Sequence, residues 1–91
     1  MPKPSDPEIQ KLCRVLHIDA GFFVECVRES AVEIEEIDGR VNLGNASALR
    51  LRRLERLCDA LDVDVPVALL LLELTRRVDE LEEKLRWEKH G

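Results

Sequence analysis

The sequence predicts a mainly α-helical domain that carries one small β-hairpin and ends in a long helix. Apolar residues recur at helical spacing in four segments, and Asp38-Gly39 is a favoured pair for a two-residue hairpin turn. Aromatic residues make up only 3% of the chain, which favours packed helices over a β-sandwich or barrel. The predicted order is helix, turn, helix, hairpin, helix and long helix. This is the order of a winged helix-turn-helix domain.

The first two helices are predicted on either side of a short turn. Ser5 and Glu8 fit a capping box at the start of the first helix, which should end near His17. Asp19 is expected to cap the second helix, over 20–30, because its carboxylate can accept a hydrogen bond from a backbone N–H. The second helix occupies the position of the recognition helix in this fold.

The apolar spacing changes to alternation after the second helix. Residues 32–35 alternate as a half-buried strand does, and residues 40–43 return antiparallel after the predicted turn. This pairing would place Ile34 opposite Leu43 on the buried face. The hairpin therefore corresponds to the wing.

The third helix is expected to be capped by Asn45 and to carry many arginines. Its predicted apolar stripe consists of Leu51, Leu54, Leu57, Cys58 and Leu61. The arginines that surround this stripe are Arg50, Arg52, Arg53 and Arg56. We interpret them as a solvated face with the ion pairs Arg52–Glu55 and Arg56–Asp59, and a phosphate-contacting patch is the alternative.

The last helix is predicted to start after Asp64 and to run to about Trp87. Its apolar residues repeat at intervals of four and three, which predicts the seam of a short coiled coil. The seam residues are Val67, Leu71, Leu74, Val78, Leu81 and Leu85. A homodimer would cover this seam, and folding of the seam back onto the domain is the alternative. The chain thus divides into a flexible tail (1–5), the winged domain (6–64) and the long helix (65–91), which would serve dimerisation or partner binding.

Composition narrows the classes of function. The net charge is −5, and residues 1–44 account for −4 of it, with five Lys or Arg against nine Asp or Glu. Three cysteines at unrelated spacings, without a signal peptide or a membrane-spanning run, predict reduced core thiols in a cytoplasmic protein. No catalytic, cofactor or metal motif is recognisable, since Cys13 and His17 would form only half a metal site. We therefore expect no enzyme activity, no cofactor and no metal.

The charge of the recognition helix and wing disagrees with DNA binding. The acidic residues at these positions are Glu25, Glu29, Glu33, Glu35, Glu36 and Asp38. Carboxylates in these places would repel a phosphate backbone, whereas they would suit a basic protein surface. The alternative is a transcriptional regulator that contacts DNA through Arg28, Arg40, Arg50 and Arg53. A purely structural dimerisation module is the third hypothesis.

The second half of the chain resembles the chaperone modulator CbpM family, which has a MerR-like fold. The resemblance rests on residues 51–57 (LRRLERL), 59–66 (DALDVDVP), 67–74 (VALLLLEL) and 78–85 (VDELEEKL), and in element order it covers about 6–86. It implies a small regulator that binds the J domain of a DnaJ-type co-chaperone and limits stimulation of the DnaK ATPase. The basic helix of a J domain would complement the acidic residues.

Two departures from the family pattern matter. The return strand of the wing, residues 40–43, lacks an aromatic residue that the resemblance leads us to expect. The usage of Leu, Arg and Glu is similar to that of thermophile proteins. A variant of the same hypothesis is therefore a thermophile DnaK–DnaJ assembly factor of the DafA type, which would contact both chaperones.

Overall fold

A computed structural model describes residues 2–90 and confirms the predicted fold class. The chain forms four helices and one two-stranded antiparallel sheet within these residues. The elements are α1 (Pro7–Leu16), α2 (Ala20–Arg28), β1 (Ile34–Ile37), β2 (Arg40–Leu43), α3 (Asn45–Leu61) and α4 (Val65–His90). The architecture is a winged helix-turn-helix with a long C-terminal helix.

The starts of α1 and α2 show one wrong and one correct cap prediction. The N-cap of α1 is Asp6, not Ser5, and its carboxylate accepts a hydrogen bond from the Glu8 N–H at 2.9 Å. Pro7 explains the shift, because a residue that precedes proline avoids the helical conformation and so suits the cap position. Asp19 caps α2 as predicted, accepting from the N–H of the third helical residue at 3.0 Å.

The hairpin has the predicted turn and register, but its first strand starts later than expected. Ile34 pairs with Leu43, and Asp38 and Gly39 have φ angles of 53° and 75°, as a type I′ turn requires. Val32 precedes β1 and is buried in the core instead of belonging to the strand. Both Ile34 and Leu43 are half-buried against the core, so this face of the wing is anchored to the helices.

One apolar core joins all four helices. Its largest fully buried side chains are Phe23, Ile9, Leu51, Leu54, Val24, Val65 and Cys26. Leu57 and Cys58 pack against it half-buried, as the stripe of the third helix predicted. The prediction for Leu61 is wrong, because this last residue of α3 is exposed where the helix ends at the left-handed Asp62.

The start of α3 and its arginines differ partly from expectation. Gly44, not Asn45, occupies the N-cap, and no side chain caps this helix. Arg52 forms the predicted pair with Glu55 at 3.5 Å, and its guanidinium also donates to the backbone carbonyl of Leu16 at the end of α1. Of the two predicted pairs only this one is found, since Arg56 and Asp59 form no ion pair. Arg52 therefore joins α1 to α3.

The long helix α4 is anchored at its start and projects beyond the rest of the domain. Val65 and Ala68 are buried, and Leu69 and Leu72 pack half-buried against the same core. All residues from Leu74 to Lys89 are exposed. The radius of gyration is 16.1 Å, above the ~12 Å expected of a compact domain of this length, because α4 extends outward.

Candidate protein-binding surface

The first part of the candidate surface lies on α2. Glu25 is half-buried in the last turns of this helix, and Glu29 is its exposed C-cap, four residues later on the same face. The opposite face carries Phe23, Val24 and Cys26 into the core. The apolar pattern of α2 thus aims the two carboxylates away from the core.

Two carboxylates outside the six predicted acidic residues, Asp59 and Asp64, act on the same thiol as Glu25. The pKa of the Cys58 thiol is raised by burial, and then by the negative charges of Asp59, Glu25 and Asp64. These three carboxylates therefore all contribute negative potential at the same thiol. In the sequence, Asp59 directly follows Cys58, a residue of the predicted apolar stripe, and this position could have indicated a carboxylate that acts on the thiol.

The hairpin distributes its acidic residues over both of its faces. Because side chains alternate along a strand, Glu36 shares a face with Ile34 and Val41, while Glu35 lies on the other face opposite Asn42. Glu36 lies beside Asp6 of the α1 cap in a cleft of about 410 Å³. The pleat therefore does not bring Glu35 and Glu36 together, although they are neighbours in sequence.

The predicted acidic residues are available to a partner. Glu33, Glu35, Glu36, Asp38 and Glu29 are exposed, and Glu25 is half-buried. None of the six forms an ion pair or a side-chain hydrogen bond in the part of the chain that the structure describes. We refer to Glu25, Glu29, Glu33, Glu35, Glu36 and Asp38 together as the acidic surface, of which Glu35 and Glu36 lie on opposite faces of the hairpin.

The predicted coiled-coil residues form a second exposed surface on α4. Five of the six are exposed, namely Val67, Leu74, Val78, Leu81 and Leu85, and Leu71 is half-buried. At 100° per residue they lie on the side of the helix opposite the core-facing Val65 and Leu72. We refer to these six residues as the α4 seam. Within the single chain, the domain does not cover it.

The cysteines have the environment of structural thiols. Cys13 and Cys26 are buried and Cys58 is half-buried, and all three are free. Burial, with smaller contributions from the Cys58 thiol and the Glu25 carboxylate, raises the pKa of Cys26 to about 12. Because the thiolate is the reactive form, such a thiol is a poor nucleophile near neutral pH. Among residues 2–90, no three metal-ligating side chains converge.

The arginines of the DNA-binding alternative fall in different places. Arg28 is in the last turn of α2, and Arg40 lies beside Lys11 in a groove between β2 and α1. Arg50 and Arg53 instead line a groove between α3 and α4. These four arginines do not form the row of cations along recognition helix and wing that a phosphate backbone would require.

Comparison with known protein families matches residues 8–88 to the family described as MerR HTH family regulatory protein. The chain belongs to the MerR HTH family. The match runs from the first turn of α1 to the end of α4, so the long helix is part of the family pattern. This is a family of regulatory proteins and not of enzymes. Neither the curated proteins nor the solved structures yielded a match to this MerR-family protein. Across its described residues, no helix is both long and apolar enough to cross a bilayer.

Proposed function

We propose that this MerR-family protein is a regulatory adaptor that binds the J domain of a DnaJ-type co-chaperone through its acidic surface. The observation that carries the proposal is the set of unpaired carboxylates on the recognition helix and the wing. The resemblance of residues 51–85 to the chaperone modulator CbpM supplies the partner. By covering the basic helix of the J domain, the adaptor would modulate stimulation of DnaK.

Electrostatics favour a basic protein over DNA at this surface. Association of DNA-binding proteins is driven by cations that release counterions from the phosphates, and this surface would bring carboxylates there instead. Complementary charge on a J domain would speed encounter and fix its orientation. The three free thiols agree with action in the reducing cytoplasm.

The adaptor is proposed to act as a homodimer that pairs along the α4 seam. A continuous row of exposed leucine and valine side chains on a projecting helix is unfavourable in water, and a second copy of the same helix would cover it. The seam and the acidic surface lie on different elements, so pairing would leave the carboxylates accessible.

Charge reversal on α2 tests the proposed partner. The double variant Glu25→Lys, Glu29→Lys should bind an isolated J domain more than about tenfold more weakly and with less dependence on salt. The control is Glu82→Lys, Glu83→Lys, which makes the same charge change on the exposed part of α4. Calorimetric titration at two salt concentrations gives both readouts. Unchanged affinity in the folded α2 variant would reject this surface.

The direction of regulation needs a separate measurement. ATP hydrolysis by DnaK, measured with its J-domain protein and increasing amounts of the adaptor, should fall if the adaptor masks the J domain. Formation of a stable complex that contains DnaK as well as the DnaJ-type protein would instead identify an assembly factor of the DafA type.

The second candidate function is a DNA-binding regulator. The observations that favour it are the family membership and the exposed Arg50 and Arg53. Retention of duplex DNA at micromolar protein and physiological salt, lost in the variant Arg28→Gln, Arg40→Gln, would support it. The absence of any gel shift would reject DNA binding as the function. The acidic surface leads us to expect no shift.

A further inference from the structure

A groove separates the first turns of α3 from the middle of α4 as α4 leaves the domain. Its volume is about 500 Å³. Arg50 and Arg53 line it from α3, and Arg76 lines it from α4. The proposed adaptor function uses none of these residues. We refer to this feature as the arginine groove.

The groove is locally positive on a protein that is negative as a whole. Arg50 and Arg53 are exposed and form no ion pair with any other residue in the described chain. The first turn of α3 contains no acidic residue and no side-chain cap, so the positive end of its helix dipole adds to the arginine charges. A net charge of −5 makes this patch an exception that needs an explanation.

The third arginine is held in place by its own helix. Arg76 pairs with Glu73 at 2.7 Å and with Glu80 at 3.0 Å. The hydrogen bond from Arg76 lowers the pKa of the Glu73 carboxyl, so this pair stays charged at neutral pH. Because its charge is already matched, Arg76 shapes the wall of the groove, while Arg50 and Arg53 remain to pair with a ligand.

The groove also offers apolar surface. Leu49 is 65% exposed on its α3 side, and Leu72 lies half-buried on the α4 side. Leu72 faces the side of α4 opposite Leu74, so the groove is not part of the seam. An exposed leucine beside two unpaired arginines is suited to a ligand that combines carboxylates with an apolar side chain.

We propose that the arginine groove binds an acidic segment of a protein partner, in which an aliphatic side chain is flanked by carboxylates. The aliphatic group would cover Leu49, and the carboxylates would pair with Arg50 and Arg53, whose forked guanidinium groups suit carboxylate oxygens. Only two unpaired arginines line the groove, and Asp79 lines it as well, so the groove lacks the row of cations that a phosphate backbone requires, whereas two arginines suffice for a pair of carboxylates. The protein therefore has two recognition surfaces of opposite charge, one for a basic and one for an acidic partner.

The test uses a short labelled peptide in which glutamates flank two leucines, with a matched peptide that has glutamine in place of glutamate. In the full-length protein labelled with ¹⁵N, the glutamate peptide should shift the side-chain N–H resonances of Arg50 and Arg53, and the glutamine peptide should not. The variant Arg50→Gln, Arg53→Gln should bind the glutamate peptide about five- to tenfold more weakly by fluorescence anisotropy. Leu49→Ser should weaken binding as well.

The control is the variant Arg28→Gln, Arg56→Gln, which removes the same charge from two exposed arginines outside the groove. Equal weakening in control and groove variants would overturn the proposal, because it would reveal attraction by net charge alone. Tighter binding of a DNA duplex that is lost only in the groove variant would overturn it in favour of nucleic acid. A groove variant that changes the sedimentation of the free protein would show that a second copy fills the groove. J-domain binding is expected to be unchanged in the groove variant, because neither Arg50 nor Arg53 belongs to the acidic surface.

Discussion

The proposed α4 seam makes a quantitative prediction about self-association. Its five exposed positions, Val67, Leu74, Val78, Leu81 and Leu85, leave between 42% and 62% of each residue in water. Since full burial of such a side chain is worth about 1.5–3 kcal/mol, covering the remaining half contributes ~1 kcal/mol each. Two chains together would gain ~10 kcal/mol, against an association cost of ~4–15 kcal/mol. The dimer is therefore expected to dissociate at accessible protein concentrations.

Replacing two seam leucines by lysine should abolish this dimer. Leu74→Lys, Leu81→Lys removes four leucine contacts from the pair of helices, or ~4 kcal/mol, which weakens association by about a thousandfold. The added lysines repel each other and increase the effect. Sedimentation equilibrium over a range of protein concentrations measures the dissociation constant, and circular dichroism verifies that α4 stays helical.

The matched control is Val15→Lys, Ile37→Lys, which introduces the same charge at two exposed apolar positions, one on α1 and one on the hairpin, away from α4. It should leave the dissociation constant unchanged. A wild-type protein that sediments as a monomer at all concentrations would refute the seam, as would a double variant that associates as strongly as the wild type.

Three further predictions test the fold. Asp19→Ala removes the cap of α2 and should lower the free energy of unfolding by about 1 kcal/mol in calorimetry, whereas Asp19→Asn should retain most of it; equal losses would contradict the capping role. The pKa of the Cys26 thiol is about 12 in the folded chain, against 9.0 for an unperturbed thiol. The protonated thiol therefore stabilises the fold fully below pH 9, and this stabilisation is lost as the pH rises towards 12. In urea titrations, the free energy of unfolding of Cys26→Ala should fall less steeply with pH in this range than that of the wild type, by up to about 1.4 kcal/mol per pH unit. The same dependence on pH in both proteins would refute this. Arg52→Met removes the bond to the Leu16 carbonyl and should destabilise the fold by about 1 kcal/mol, while Arg53→Met should not. Equal melting temperatures of the two methionine variants would show that the link between α1 and α3 contributes nothing.

Local signals in the sequence predicted the elements well where short-range chemistry decides them. The positive φ angles that Asp38-Gly39 adopts and the capping carboxylate of Asp19 depend only on near neighbours. The cap of α1 was misplaced because two candidates, Ser5 and Asp6, stand next to each other, and the conformational restriction before Pro7 decides between them.

The surfaces were less predictable because they depend on how distant elements meet. Asp59 on α3 and Glu25 on α2 both raise the pKa of the Cys58 thiol, and spacing along the chain does not show this. The arginine groove likewise forms between α3 and α4, so Arg50 and Arg53 looked like parts of an ordinary solvated helix face. The acidic character of the recognition helix and wing was visible in the sequence because both elements are short and local.

The projecting part of α4 has a consequence for how the adaptor would engage a partner that is itself dimeric. From Leu74 to His90 this helix extends about 24 Å, and a helix is a stiff spacer, unlike a flexible linker. Two copies joined through it would present two binding faces at a fixed separation. Binding through both faces at once would then strengthen the affinity only for bivalent targets whose two sites have a matching separation, so the length of the helix would contribute to the choice of partner.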